Sequence, residues 1–203
     1  MIRGWLHEPS GAGPRPASAI ALTHGAGSNA EAPLLKSLAE AFAAAGLLVL
    51  RFDLPYRQAR PHGPPFPAQA ARDREGIQRA VEALREISTG RIFLGGHSYG
   101  GRQSTMVAAE NPQLADALLL LSYPLHAPKK PAQARTDHFK TLNTPALFVH
   151  GTRDPFGSIA EMEDALRLIP ARTELEIIEG APHGVPASAA QRIAERFSKF
   201  EAC

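Results

Sequence analysis

Short, uninterrupted apolar runs alternate along this chain with longer segments in which apolar residues recur at helical spacing. The runs are residues 20–22, 47–52, 92–94, 117–121, 146–149 and 175–178. A strand that is apolar at every position, rather than at every second one, is typical of a parallel sheet covered by helices on both faces. The alternation therefore predicts a doubly wound α/β fold, with a mainly parallel sheet of about six or seven strands flanked by helices.

Three of the segments between the runs have one apolar face and predict helices. Their apolar residues are Leu34, Leu35, Leu38 and Phe42, then Ile77, Val81, Leu84 and Ile87, then Ile193, Phe197 and Phe200. Ser-x-x-Glu/Gln sequences at Ser28, Ser158 and Ser188 have the spacing of a capping box and predict helix starts. The proline-rich stretch 54–67 is interpreted as a long loop. Because no repeat or linker interrupts the pattern, residues 1–203 are predicted to form a single domain.

Charge and cysteine content exclude several classes of protein. The net charge of +2 is too small to favour a nucleic acid or an anionic membrane as partner. The only cysteine, Cys203, is the last residue, so neither a disulfide framework nor a cysteine metal site is predicted. No signal peptide is recognisable, and no apolar run approaches the ~18 residues of a membrane span. The composition favours a soluble, cytoplasmic protein.

Two pairs of glycines bracket a serine in the stretch FLGGHSYGG, residues 93–101. An apolar run ends there and a helical pattern follows, which predicts a strand-to-helix turn with Ser98 at its apex. The sequence Gly96-x-Ser98-x-Gly100 is the pattern of a nucleophile elbow, a turn so tight that side chains two residues either side of the serine would collide. The hydroxyl would stand at a helix N-terminus, where the helix dipole favours developing negative charge.

This stretch, together with HGAG, RFDLPY and GTRDPFG, resembles the α/β-hydrolase family over nearly the whole chain, especially its small, cap-less members akin to dienelactone hydrolase. The resemblance implies a serine hydrolase that cleaves a small carboxylester or thioester through an acyl-enzyme intermediate, without a metal or organic cofactor. It also implies an acid and then a histidine later in the chain. The interval 123–144 must hold the usual helix between two strands, so no lid domain is predicted.

Asp154 and His183 are the predicted acid and base. Asp154 lies in a loop after an apolar run, whereas the alternative strand-end loop, SYPLHAP, contains no carboxylate. His183 follows the last predicted strand and precedes the final helix, where the family has its base. Two other histidines near strand ends are not predicted to act as the base. His97 is expected to turn away from the nucleophile, and His150 is expected to pack beneath the acid loop.

Two backbone N–H groups are predicted to hold the oxyanion. One belongs to Tyr99, the residue after the nucleophile, and the other belongs to the loop THGAGSNA after the first apolar run. Resemblance to His-Gly-x loops assigns the second donor to Ala26, with Gly25 and Gly27 as alternatives.

Two other hypotheses are compatible with the sequence, and the first depends on the same loop. Gly25-x-Gly27-x-x-Ala30 follows a strand, and the next strand ends in Asp53, which is a passable dinucleotide-binding pattern. That hypothesis predicts an oxidoreductase and leaves Ser98 unexplained. A further hypothesis is a non-catalytic interaction module, because the chain is also similar to hydrolase-like subunits of a chromatin-acetylating complex. An intact set of serine, acid and histidine argues against a pure scaffold.

Basic residues cluster in two of the predicted loops. One loop carries Lys129, Lys130, Arg135 and Lys140, and the other carries Arg57 and Arg60. An anionic substrate is one interpretation, but solvated surface charge is the favoured one.

Overall fold

The computed structural model describes residues 2–9 and 18–202, so Cys203 lies outside the described residues. The described residues form a seven-stranded sheet in the spatial order β1-β3-β2-β4-β5-β6-β7. The strands are β1 (Gly4–His7), β2 (Ala19–Thr23), β3 (Leu48–Phe52), β4 (Ile92–His97), β5 (Ala117–Leu121), β6 (Ala146–Gly151) and β7 (Thr173–Ile178). The helices are α1 (Pro33–Ala44), α2 (Pro55–Ala59), α3 (Ala70–Ile87), α4 (Tyr99–Glu110), α5 (Ile159–Leu166) and α6 (Ala190–Glu201).

Strands β2 to β7 run parallel, and β1 pairs antiparallel with β3 at one edge of the sheet. This arrangement confirms the predicted doubly wound, mainly parallel fold. Strand β1 was not predicted, because its four residues, GWLH, are largely exposed and form no apolar run. None of the helices within residues 2–9 and 18–202 has both the length and the apolar content needed to cross a membrane.

Helices cover both faces of the sheet. Helices α3, α4 and α5 pack on one face, and α1 and α6 pack on the other. The predicted apolar faces are buried, as the full burial of Ile77, Leu38 and Phe197 shows. The prediction is wrong only at Ile87, the last residue of α3, which is 41% exposed. Phe197 of α6 packs edge-on against Phe93 of β4, with ring centroids 5.3 Å apart. Because both faces are covered, β2 and β5 are buried at every position, which explains their uninterrupted apolar sequences.

One of the three predicted capping boxes forms. Ser158 Oγ accepts the Glu161 N–H at 3.3 Å, and the Glu161 carboxylate accepts the Ser158 N–H at 2.8 Å, so α5 starts as predicted. The prediction is wrong at Ser28, because α1 starts later and the carboxylate of Glu31 pairs with lysine and arginine side chains instead. It is also wrong at Ser188, because a 3-10 turn precedes α6 there.

Both long loops differ from their predictions. The stretch 54–67 contains the short helix α2, and Arg57 on this helix is only 3% exposed, so the expectation of solvated charge is wrong for Arg57. The interval 123–144 holds a 3-10 turn, Phe139–Thr141, in place of the expected α-helix. Its three prolines oppose a helix, since proline lacks the N–H and clashes with the preceding turn. Aromatic side chains of this loop fill the interior instead.

Candidate active site

Ser98 occupies a strained turn between β4 and α4. Its backbone has φ 50° and ψ −115°, a conformation that residues with a side chain rarely adopt. The Ser98 N–H donates to the carbonyl of Leu121 on the neighbouring strand at 2.8 Å, which ties the turn to the sheet. Strain of this kind persists only where the surrounding structure supports it, and it is concentrated at functional sites.

The glycines around Ser98 are required by close backbone packing. A Cβ atom on Gly96 would lie 2.5 Å from the backbone nitrogen of Gly101. A Cβ atom on Gly100 would lie 2.5 Å from the carbonyl oxygen of His24. Neither neighbour is a flexible side chain that could move aside. The structure therefore confirms the predicted reason for the glycines.

Ser98, His183 and Asp154 meet at the carboxyl edge of the sheet. Ser98 Oγ lies 2.8 Å from His183 Nε2, and His183 Nδ1 lies 2.8 Å from Asp154 Oδ2. The Asp154 side chain is fully buried and its Oδ1 accepts the Phe156 N–H at 2.8 Å. A carboxylate facing Nδ1 favours the tautomer in which Nδ1 carries the proton, which leaves Nε2 free to accept the serine proton. The catalytic roles of the three residues stay predictions.

Two further histidines support this arrangement without contacting Ser98 Oγ. The buried ring of His150 bonds the carbonyl of Gly157 at 2.8 Å and lies 3.8 Å from the carboxylate of Asp154, beneath the acid loop as expected. His97 bonds the backbone carbonyl of His183 through Nε2 at 3.2 Å. Burial lowers the pKa of His97, which favours the neutral form of its ring. Its hydrogen bond connects the ring to the loop that carries His183.

The amides predicted to hold an oxyanion lie beside Ser98. A Cβ atom on Gly25 would be 3.3 Å from Ser98 Cβ, so the loop after β2 packs directly against the serine. Within the described part of the chain, the N–H groups of Ala26 and Tyr99 have no hydrogen-bond acceptor. The same holds for the N–H groups of Gly25 and Gly27, so the choice within this loop stays open.

Two clefts are lined by residues adjacent to Ser98, the first by His97 and the second by Tyr99. The first has a volume of 280 Å³ and is mainly apolar, with Leu34, Leu35 and Val185 in its wall. The second has a volume of 440 Å³ and lies between Phe66 and Arg102, close to the predicted oxyanion donors. Arg102, which lines the second cleft, was not among the residues predicted for the site. Its position one helical turn after the serine was a usable signal, because residues four apart share a helix face.

The carboxylate of Asp53 is directed into the protein and is not available to bind a ligand. It is 2% exposed, and its carboxylate accepts the Ala30 N–H at 2.8 Å and the Arg3 Nε–H at 2.7 Å. Both of its oxygens are therefore engaged inside the protein. This arrangement removes the acidic residue on which the dinucleotide-binding hypothesis depends.

Acid is expected to destabilise the fold through His24. Its ring is fully buried, and Nε2 accepts the Leu54 N–H at 3.1 Å. Burial lowers the pKa of His24 to about 4, against about 6.5 for an unfolded chain. Between these values the unfolded state binds more protons, so the contribution is complete above pH 6.5 and falls as the pH falls, by about 1.4 kcal/mol per pH unit. Urea unfolding at a series of pH values from 7.5 to 5 measures this change in the free energy of unfolding.

The matched variants for this experiment are His24→Gln and His62→Gln, since His62 is exposed. The dependence of unfolding free energy on pH is expected to be flatter in His24→Gln and unchanged in His62→Gln. An equal slope in wild type and His24→Gln would contradict the assignment.

A serine on a strained strand-to-helix turn, facing a histidine and an aspartate from later loops of a parallel sheet, is the architecture of an α/β-hydrolase. The chain belongs to this family, since the family profile described as alpha/beta hydrolase domain matches residues 16–195. Carboxymethylenebutenolidase-like proteins of Salmonella typhimurium strain LT2 and Escherichia coli strain K12 are each 35% identical over 101 residues, 46% of this chain. The match spans 36% of those relatives' length.

Solved structures with the same fold cover nearly the whole chain. Est1E from Butyrivibrio proteoclasticus has a TM-score of 0.78 at 16% identity, covering 99% of this chain and 94% of its own. Dienelactone hydrolase from Anabaena variabilis has a TM-score of 0.72 at 24% identity, covering 98% and 90%. An α/β serine hydrolase without lid from Xanthomonas campestris has a TM-score of 0.67 at 16% identity, covering 97% and 89%. These similarities confirm the predicted fold.

Proposed function

We propose that the chain is a serine hydrolase that cleaves small carboxylesters or thioesters through an acyl-enzyme intermediate. One observation supports this proposal most strongly. Ser98 Oγ, the imidazole of His183 and the buried carboxylate of Asp154 are joined by two hydrogen bonds of 2.8 Å. A hydroxyl, a base and a group that orients the base, in that order, are the parts needed to activate a serine.

The reaction would proceed in two halves. His183 Nε2 takes the hydroxyl proton while Ser98 Oγ attacks the ester carbonyl, and the N–H groups of Ala26 and Tyr99 bind the oxyanion. The bond to the alcohol then breaks, and His183 gives its proton to the departing oxygen. Water, deprotonated by the same nitrogen, attacks the acyl-enzyme, and the proton returns to Ser98 as the acid leaves. Asp154 orients the imidazole in both halves.

The test is covalent labelling by a fluorophosphonate, with the modified residue located by peptide mass spectrometry. Labelling at Ser98 and hydrolysis of short-chain 4-nitrophenyl esters are expected. The alternative, a non-catalytic interaction module, predicts no labelling and no turnover.

The cytoplasmic location stays a prediction of the sequence.

Negatively charged esters are the proposed preferred substrates, because of Arg102. This side chain lines the 440 Å³ cleft, and within the described residues it forms no ion pair with a carboxylate. Its Nε is buried without a hydrogen-bond acceptor. Arg102 lowers the pKa values of Arg135 and His138, second to burial in both cases, because its positive charge lies close to both groups. A substrate carboxylate in this cleft would supply a counter-ion for the guanidinium group.

Replacement of Arg102 by glutamine is expected to raise KM for 4-nitrophenyl hydrogen succinate by about 10- to 100-fold, the equivalent of one charge-assisted hydrogen bond. KM for the neutral 4-nitrophenyl butyrate should change little. Lys140→Gln is the control for net charge, since Lys140 is exposed. Equal changes for both esters in Arg102→Gln would contradict the role of Arg102.

A further inference from the structure

Helix α2 contacts the loop that carries the predicted oxyanion donor. The Tyr56 hydroxyl lies 3.0 Å from the carbonyl oxygen of Gly25 and 2.9 Å from that of Ala26, so that its single proton is shared between them. Burial raises the pKa of Tyr56 to about 12, so the hydroxyl keeps the proton that it donates. Arg57 donates to the carbonyl of Ala26 at 3.1 Å and to that of Ser28 at 2.7 Å.

These contacts orient the peptide planes of the loop. In a planar trans peptide, the C=O and the following N–H point in opposite directions. Holding the Gly25 carbonyl toward Tyr56 therefore directs the Ala26 N–H away from Tyr56. The Ala26 carbonyl is held from the same side by Tyr56 and Arg57, which orients the N–H of Gly27 in the same manner. Within the described residues, the N–H groups of Gly25, Ala26 and Gly27 have no acceptor, as an oxyanion site requires.

Arg57 adds a buried positive charge at this loop. It is 3% exposed, and within residues 2–9 and 18–202 it forms no ion pair with a carboxylate. Its bonds run to the backbone carbonyls of Ala26, Ser28, Arg60 and Gly63. A buried charge without a counter-ion is costly for folding. The positive charge of Arg57 would stabilise the negative charge that develops on a substrate oxygen one peptide unit away.

Asp73 connects the two halves of the predicted oxyanion site. This fully buried carboxylate on α3 accepts the Tyr56 N–H at 3.0 Å through Oδ1 and the Tyr99 hydroxyl at 2.8 Å through Oδ2. The rings of Tyr56 and Tyr99 pack edge-on with centroids 5.9 Å apart. One carboxylate thus links the residue that holds the loop after β2 to the residue whose own N–H is the other predicted donor.

From this geometry we infer that Tyr56 and Arg57 are positioning residues, which hold the loop after β2 so that its N–H groups bind the oxyanion, and that Asp73 keeps both donors in register. The inference rests on the proposed hydrolase function. None of the three side chains contacts the reacting atoms. Their effect should therefore appear in the transition state and not in substrate binding.

The experiment compares Tyr56→Phe with Tyr123→Phe in hydrolysis of the neutral 4-nitrophenyl butyrate. Tyr123 is the matched control, because it is equally buried and also donates its hydroxyl proton to a backbone carbonyl, that of Arg135 at 2.7 Å. Tyr56→Phe should lower kcat by about 10- to 100-fold, less than the loss of a direct oxyanion donor, with KM within about twofold. Tyr123→Phe should keep both within about twofold.

Two additional measurements separate positioning from a general structural effect. Titration with fluorophosphonate counts folded, competent sites, so unfolded protein does not register as a lower kcat. A trifluoromethyl ketone, which forms a tetrahedral adduct with the serine, should lose affinity in Tyr56→Phe by the same factor as kcat/KM. An unchanged kcat in a labelled Tyr56→Phe protein, or a loss confined to KM, would overturn the inference alone. A wild-type protein that neither labels nor hydrolyses would overturn the proposed function, and the inference with it.

Discussion

Replacement of Ser98 by alanine is expected to abolish both fluorophosphonate labelling and ester hydrolysis while the fold is retained. Alanine removes only the hydroxyl that lies 2.8 Å from His183 Nε2, and its smaller side chain fits the same turn. Residues that act as a unit each cost nearly the full effect, so His183→Ala should lose almost as much, on the order of 10⁶-fold in kcat. Asp154→Asn should lose less, on the order of 10⁴-fold. Steady-state kinetics and intact-protein mass spectrometry measure these losses.

Ser104→Ala is the matched control for Ser98→Ala. Ser104 is a buried serine on α4, the helix that follows Ser98, and its hydroxyl donates to the carbonyl of Gly100 at 2.9 Å. It should keep wild-type labelling and rate. A Ser98→Ala protein that hydrolyses the best wild-type substrate at a comparable rate would refute the assignment of the nucleophile.

Replacement of Gly96 or Gly100 by valine is expected to destabilise the protein by several kcal/mol, about the upper range for single substitutions. The first atom of the new side chain would lie 2.5 Å from backbone atoms in each case, so strands and helix would have to separate. The turn that exposes Ser98 would be lost with them. Thermal melting should therefore shift strongly downward, and the protein that remains folded should not label with fluorophosphonate.

Gly184→Val is the matched control for the effect on stability, because a Cβ atom there would have no neighbour within 4 Å. Its melting temperature should stay near that of the wild type, as for a typical surface substitution of about 0.5 kcal/mol or less. Near-native melting and labelling of both Gly96→Val and Gly100→Val would show that these glycines do not support the turn.

Local sequence patterns predicted the secondary structure correctly where one physical cause dominates. Uninterrupted apolar runs predicted the buried parallel strands, since burial on both faces leaves no place for polar residues. The sequence missed β1, which has little to bury. The identical Ser-x-x-Glu pattern succeeded at Ser158 and failed at Ser28, because Glu31 is drawn into ion pairs with Lys36 and Arg51, the latter from a distant strand. A pattern of neighbouring residues does not show that Arg51 on β3 will compete with Ser28 for the carboxylate of Glu31.

The sequence by itself determined the α/β class, the turn that bears Ser98, and the order in which Asp154 and His183 follow it. The α/β class and the turn depend on residues adjacent in the chain, and the order of acid and base was implied by the resemblance to α/β-hydrolases. Only the tertiary structure decided that α2 turns the buried Tyr56 and Arg57 onto the loop after β2, and that Asp73 bridges two aromatic residues. These contacts join segments about 17 to 31 residues apart, and their geometry depends on how helices pack against the sheet rather than on local propensity.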